Sequence, residues 1–144
     1  MAELNLETAN RIVNEALLKA REMGIPPVTV VVLDAGGHLK AMQREDGASM
    51  FRFDVARGKA WGSVGMDASS RVLAERAKDN PNFFITLAAS AQGQFLPQPG
   101  GVLIRDEAGR VVGAAGASGG TGDEDEAICA HGVRSAGLVA DLPA

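Results

Sequence analysis

Few side chains in this 144-residue sequence could carry chemistry, since it has two histidines, one cysteine and no tyrosine. Covalent catalysis needs a hydroxyl or thiol brought together with a base and an orienting carboxylate. Ser118 and Cys129 are available as nucleophiles, but spacing nominates no triad. Cys129 and His131 stand two apart, which on a helix turns them about 200° from one another, so they cannot pair directly. Cys129 reads as a buried structural thiol. His131 could ligate iron, act as a base or pack on a helix face. His38, directly after a turn, reads as a solvated strand-end residue. No set of residues has the spacing of a structural zinc site.

The segment Arg44-Glu45-Asp46-Gly47-Ala48-Ser49-Met50-Phe51 is more informative. A guanidinium binds a carboxylate bidentately, and a helix starting near Ala48 would add free N–H groups and a positive dipole end. Lys59, roughly three turns into that helix, borders its apolar stripe and could reach the same bound carboxylate. The opposing reading has Arg44 and Asp46 fixing the loop together, with Lys59 extending its stem over apolar surface. Residue types leave both readings open.

The run Gly113-Ala114-Ala115-Gly116-Ala117-Ser118-Gly119-Gly120 follows a strand and opens a helix, as a dinucleotide fingerprint does. A Rossmann unit also needs a further parallel strand and an acidic residue about 20 positions on, and neither follows. Asp123-Glu124-Asp125-Glu126 would repel a pyrophosphate. Gly58-Lys59 is followed by Ala60, so there is no phosphate-loop sequence. The glycines read instead as a tight turn and close packing of strand on helix.

These residues must be positioned by the following elements. Asn5 can cap a helix with apolar positions Leu6, Ala9, Val13, Ala16, Leu17 and Ala20, stopped by Gly24 and Pro26-Pro27. Val28 to Leu33 and His38 to Gln43 read as strands joined by the turn Asp34-Ala35-Gly36-Gly37. Asp46 to Ser49 offers caps for a second helix running to about Met66, and Ser69 or Ser70 can open a short one through Ala77. Lys78-Asp79-Asn80-Pro81 interrupts it before the apolar segment Phe83 to Ala91. After a turn-rich loop, Val102 to Arg105 pairs with Arg110 to Ala115 across Asp106-Glu107-Ala108-Gly109. A last helix runs from the acidic cluster to about Leu138. The two hairpins share the pattern Asp34…Gly37-His38-Leu39 and Asp106…Gly109-Arg110-Val111. That pattern reads either as two related halves or as the common use of Asp and Gly in turns. The order of elements implies an α+β fold with a mainly antiparallel sheet.

Length fits one domain over residues 1–144, which at this size buries roughly 70% of the unfolded chain's surface. The formal charge of −4 and 4% aromatic content oppose nucleic acid as a partner. No segment reaches the ~18 unbroken apolar residues of a membrane span. The acidic start Met1-Ala2-Glu3 lacks the basic and apolar regions of a secretory signal. A cytoplasmic protein is expected.

Several segments together resemble the GlcG/HbpS-like (DUF336) family, which is similar to the C-terminal domain of PduO-type proteins. They are the opening amphipathic helix, Val31-Val32-Leu33-Asp34-Ala35-Gly36-Gly37-His38-Leu39, Arg44-Glu45-Asp46-Gly47-Ala48, Ala56-Arg57-Gly58-Lys59-Ala60, Pro99-Gly100-Gly101-Val102-Leu103-Ile104, and Val112 to Gly120 followed by Asp125. The resemblance covers nearly the whole chain. It implies a profilin-like α+β fold with a central antiparallel sheet flanked by helices, symmetric homo-oligomers, and a pocket near the subunit surface that takes haem or another molecule. It also implies a link to haem handling or redox sensing. Members can take an iron ligand from the first helix, but this one has no histidine, cysteine or tyrosine, only Met23 at its end. His131 and His38 are left as imidazole ligands for haem. The expectation is a homo-oligomeric binder of haem or an anionic, partly apolar small molecule, using Arg44, Asp46, Phe51, Lys59, Gly100, Gly101 and His131. The alternative is a cofactor-independent lyase or isomerase acting on a small aromatic or hydroxy acid, with Lys59 or His131 moving a proton.

Overall fold

The computed structural model describes residues 3–143; the outermost residues of the 1–144 domain expectation lie outside them. In chain order the elements are α1 (Leu6–Met23), β1 (Thr29–Asp34), β2 (Leu39–Arg44), α2 (Phe51–Met66), α3 (Ser70–Asp79), α4 (Pro81–Ser90), β3 (Gly101–Arg105), β4 (Val111–Ser118), α5 (Gly122–Ser135) and β5 (Val139–Ala140). The strands form one antiparallel sheet in the order β2-β1-β4-β3-β5. This is the expected α+β architecture, and helices cover both faces of the sheet.

Two-sided cover explains the unbroken apolar run of β1. Val30 and Val32 pack with α1 and α5, in a core that includes Ile12, Val13, Ile128 and Val133. Val31 and Leu33 point the other way, against Ala56 and Ala60 of α2. A strand buried on both faces cannot alternate apolar with polar. Helix α1 forms as its sequence predicts. Asn5 Oδ1 accepts from Thr8 N at 2.8 Å, and Gly24 ends the helix in the left-handed conformation.

The small residues of β3 and β4 let α2 lie almost on the sheet backbone. A Cβ on Gly116 would sit 2.2 Å from the Ala56 carbonyl oxygen, and one on Gly101 would sit 2.4 Å from that of Lys59. The glycine run therefore does serve helix–sheet packing.

Three local readings need correction. Helix α2 begins at Phe51, after Met50, without a side-chain cap; Ser49 Oγ is taken instead by Arg52 Nε at 3.2 Å. Helix α3 opens at Ser70 after Ser69, as the sequence predicts, but runs on to Asp79 rather than Ala77, and neither hydroxyl caps it. Their hydroxyls accept from Leu103 N and Gly101 N, at 2.9 and 2.7 Å, along the outer edge of β3. The last helix stops at Ser135, and Val139–Ala140 returns as β5 beside Ile104 and Arg105. The outer side of β3 is thus covered by β5 and two hydroxyls, whereas β2 ends the sheet at the other side with a largely exposed strand.

The two hairpin turns match in detail. Asp34 Oδ1 accepts from Gly36 N and His38 N, and Asp106 Oδ1 accepts from Ala108 N and Arg110 N. Gly37 and Gly109 have φ of 81° and 84°, and each hairpin has a register shift at the same place, after Val32 and after Ile104. The shared Asp and Gly pattern corresponds to one turn geometry used twice.

Candidate functional site

A cavity of about 410 Å³ opens between the first half of α2, the end of β4, the start of α5 and the loop carrying Leu96, Gln98 and Pro99. Helix α2 contributes Arg52, Val55 and Lys59. The spacing i, i+3, i+7 places these three on one helix face. Lys59 is only 5% exposed. Its Nζ donates to Ala117 O at 2.9 Å and to Asp125 Oδ2 at 3.0 Å. Asp125, 1% exposed, accepts from Gly120 N at 3.0 Å through its other oxygen. Burial pushes the Asp125 carboxyl above its ordinary range, against the opposing pull of the Lys59 charge and hydrogen bond.

Asp125 reaches this position because α5 starts firmly. Thr121 Oγ1 accepts from Glu124 N while Glu124 Oε1 accepts from Thr121 N, a capping box. Arg71 of α3 pairs with Asp123 and with Glu126, the latter at 2.9 Å. The acidic cluster is thereby divided: Asp123, Glu124 and Glu126 hold the helix end, and Asp125 turns inward.

Arg52 completes the site. Its Nη1 donates to Ser118 Oγ at 2.9 Å and its Nε to Ser49. Among the described residues no carboxylate pairs with it; of the two at the cavity, Asp123 is engaged by Arg71 and Asp125 by Lys59. Ser118 stands opposite Thr29 on the same sheet face, and the buried Thr29 hydroxyl has no hydrogen-bond partner. The arrangement is a cleft with one guanidinium that has no carboxylate partner among the described residues and one buried, hydrogen-bonded ion pair. Electrostatically it suits an anion.

The residues expected from sequence are dispersed. Lys59 lines this cavity, and Gly100 packs so close that a Cβ there would lie 2.7 Å from Nζ. Gly101 lies under α2. Arg44 and Asp46 line a different depression with Arg21, Pro27 and Glu45, so Arg44 and Lys59 do not converge on one carboxylate. Arg44 Nη1 donates to Ala48 O at 2.8 Å and so fixes its own loop, without an Asp46 partner. Phe51 is 64% exposed and lines none of these depressions. His38 sits on the first turn, with Nδ1 3.3 Å from Asp34 Oδ1, and His131 faces Glu15 of α1 at 3.6 Å. Cys129 is buried in the core, where burial pushes its thiol up and out of reach of chemistry.

The family model described as haem degrading protein HbpS-like matches residues 4–134. The chain belongs to the HbpS-like family. Among solved structures, Streptomyces reticuli HbpS, as a double mutant, is similar at TM-score 0.80 and 28% identity, over 94% of this chain and 88% of that one. A PduOC:heme complex shares the HbpS-like fold at TM-score 0.84 and 23% identity, over 94% and 96% of the two chains. A 15.0 kDa protein from the dhaT–dhaS intergenic region of Citrobacter freundii is 27% identical over 128 residues, 89% of this chain and 88% of its own. The corrinoid adenosyltransferase PduO of Citrobacter freundii is 26% identical over 137 residues, which cover 92% of this chain but 40% of PduO. No helix among the described residues is long and apolar enough to cross a membrane.

Proposed function

We propose that residues 1–144 act as one HbpS-like domain, a cytoplasmic homo-oligomer that binds a small, partly apolar anion in the α2–α5 cavity. The observation that carries this reading is Arg52, a guanidinium at the cavity held by two serine hydroxyls and met by no carboxylate among the described residues. Val55, Leu96 and Pro99 supply apolar wall, and the size falls within the usual range for small-molecule sites. Calorimetric titration with oxalate, phosphate and 2-oxobutyrate tests it. At least one should bind, and Arg52→Ala should weaken it by roughly ten- to a hundredfold, the equivalent of about 1.5–3 kcal/mol for a charge-assisted hydrogen bond. Arg44→Ala should leave that affinity intact. If no probe binds, or if Arg52→Ala binds like wild type, the reading is wrong. Sedimentation should give a species heavier than the 14.9 kDa chain; a monomer across dilution removes the oligomer.

Haem is the second reading, favoured by the family description and the PduOC:heme complex. The α2–α5 cavity does not fit it, because no imidazole, thiol or thioether lines that cavity. Ligation is left to the surface histidines. His38 has the better arrangement, with a carboxylate near one ring nitrogen and the other nitrogen open, as metal-binding imidazoles commonly have. Haemin titrated into wild type, His38→Ala and His131→Ala should give a saturable Soret shift that one substitution removes. Equal binding in all three would rule out histidine-ligated haem.

A further inference from the structure

Buried ion pairs are weak stabilisers, and apolar residues of similar volume often serve the fold as well or better. A pair buried at the wall of a cavity, with the carboxyl held above its ordinary range, is by contrast a common arrangement for acid–base chemistry. Lys59 and Asp125 have both features. The ammonium has three N–H groups and two protein partners. The carboxylate is fixed from one side by Gly120 N and from the other by Lys59. Arg52 lies two turns away on the same face of α2, about 10 Å along the axis. The charged ends of Arg52 and Lys59 draw together on β4, where Arg52 Nη1 donates to Ser118 Oγ and Lys59 Nζ to the carbonyl of the adjacent Ala117.

We propose that Lys59 and Asp125 are a proton-transfer pair that enolises a small 2-oxo carboxylate held at Arg52. The proposal rests on the anion-binding reading above. Arg52 takes the substrate carboxylate. The Asp125 carboxylate removes a proton from C3, the C3–H electron pair becomes the C2–C3 double bond, and the carbonyl π pair moves to oxygen, which takes a proton from the Lys59 ammonium. This leaves Asp125 protonated and Lys59 neutral. The proton then crosses the 3.0 Å hydrogen bond from Asp125 to Lys59, and the ion pair is restored. The substrate is converted to its enol with no net gain or loss of protons, so no cofactor or oxidant is needed. The raised carboxyl supports the scheme, since a more basic carboxylate is a better proton acceptor, and the pair's own hydrogen bond supplies the reset.

The test is deuterium wash-in at C3 of 2-oxobutyrate in D2O, followed by proton NMR, with saturation-transfer NMR reporting binding in the same tube. Wild type should exchange the C3 protons well above the buffer rate. Lys59→Arg keeps the charge and the carboxylate partner but cannot give up its proton. It should retain binding and lose exchange by about a hundredfold or more, the usual scale of general acid–base catalysis. Asp125→Asn should lose exchange similarly. If that variant fails to fold, the double variant Lys59→Met/Asp125→Leu removes both groups without orphaning a charge, and it should melt cooperatively and exchange at the buffer rate. Binding with exchange no faster than buffer overturns the proton-transfer pair and leaves the anion site standing. Absence of saturation transfer from 2-oxobutyrate overturns the proton-transfer proposal, and the anion site falls with it only if oxalate and phosphate also fail to bind. Full exchange in Lys59→Arg, or in the double variant, also ends the proposal.

Discussion

Removing Lys59 while leaving Asp125 in place probes the molecule at its most heavily desolvated charge. In Lys59→Met the carboxylate keeps the Gly120 N–H but loses an ammonium at 3.0 Å, inside a site where Asp125 is 1% exposed. Orphaning one member of a buried pair costs about 3–5 kcal/mol, a large share of the 5–15 kcal/mol typical of a domain. At roughly 2–4 °C per kcal/mol for this chain length, the melting temperature should fall by roughly 6–20 °C. The pH dependence gives the mechanism. Asp125 already has a folded-state pKa above its unfolded value. Its contribution is therefore most favourable at low pH, below the unfolded pKa, and is lost as pH rises through the folded one. Without Lys59 the carboxyl moves further up. The deficit of Lys59→Met relative to wild type should be greatest at and above neutral pH and shrink as pH falls toward the ordinary carboxylate range. Urea denaturation across that interval measures it. Adding Asp125→Leu should restore most of the lost stability at neutral pH. A deficit below about 1 kcal/mol, or one that grows on acidification, would refute the assignment of Asp125 as a buried charge dependent on Lys59.

Two further expectations concern the frame around the site. Gly116→Ala places a Cβ 2.2 Å from the Ala56 carbonyl oxygen, and because two backbones rather than a flexible side chain meet there, it should destabilise by at least the 1–3 kcal/mol typical of overpacking; chemical denaturation indistinguishable from wild type would contradict the contact. Asp106 is held below the ordinary carboxylate range by the Arg110 N–H and side chain, and Asp34, despite burial, by the His38 and Gly36 N–H groups. Their stabilisation is present above the unfolded pKa and lost as pH falls through the folded one, so an Asp34→Asn/Asp106→Asn protein should show a shallower acid loss of stability below about pH 4, visible in circular-dichroism melts.

The fold was largely legible from periodicity, because α1, both hairpins and the interrupted helical region are specified by neighbours in sequence. The site was legible only in part. Lys59 stood out, but it was paired with Arg44, which lies near the start of the same segment and folds back onto Ala48. Arg52 carried a usable signal: residues 52, 55 and 59 share a helix face. Asp125 carried another, since it lies at i, i+3, i+4, i+7, i+8 with Ile128, Cys129, Gly132 and Val133, all buried. A carboxylate on an apolar stripe is an exception to the dipole reading that suits its neighbours. What no local pattern could supply is the meeting of Lys59 with Asp125 and of Arg52 with Ser118, each 66 residues apart. Those contacts exist because Gly101 and Gly116 let α2 settle against the sheet backbone.

The unequal ends of the sheet limit how copies of this chain can join. Strand β2 offers free amide and carbonyl groups along its outer side, whereas the far margin is occupied by β5 and the hydroxyls of Ser69 and Ser70. Among the described residues the longer open edge is therefore β2, and a second copy can meet it with its own β2. Such a junction closes on itself as a twofold pair and uses up the β2 edge of both molecules, so it offers no β2 edge for a third copy to extend.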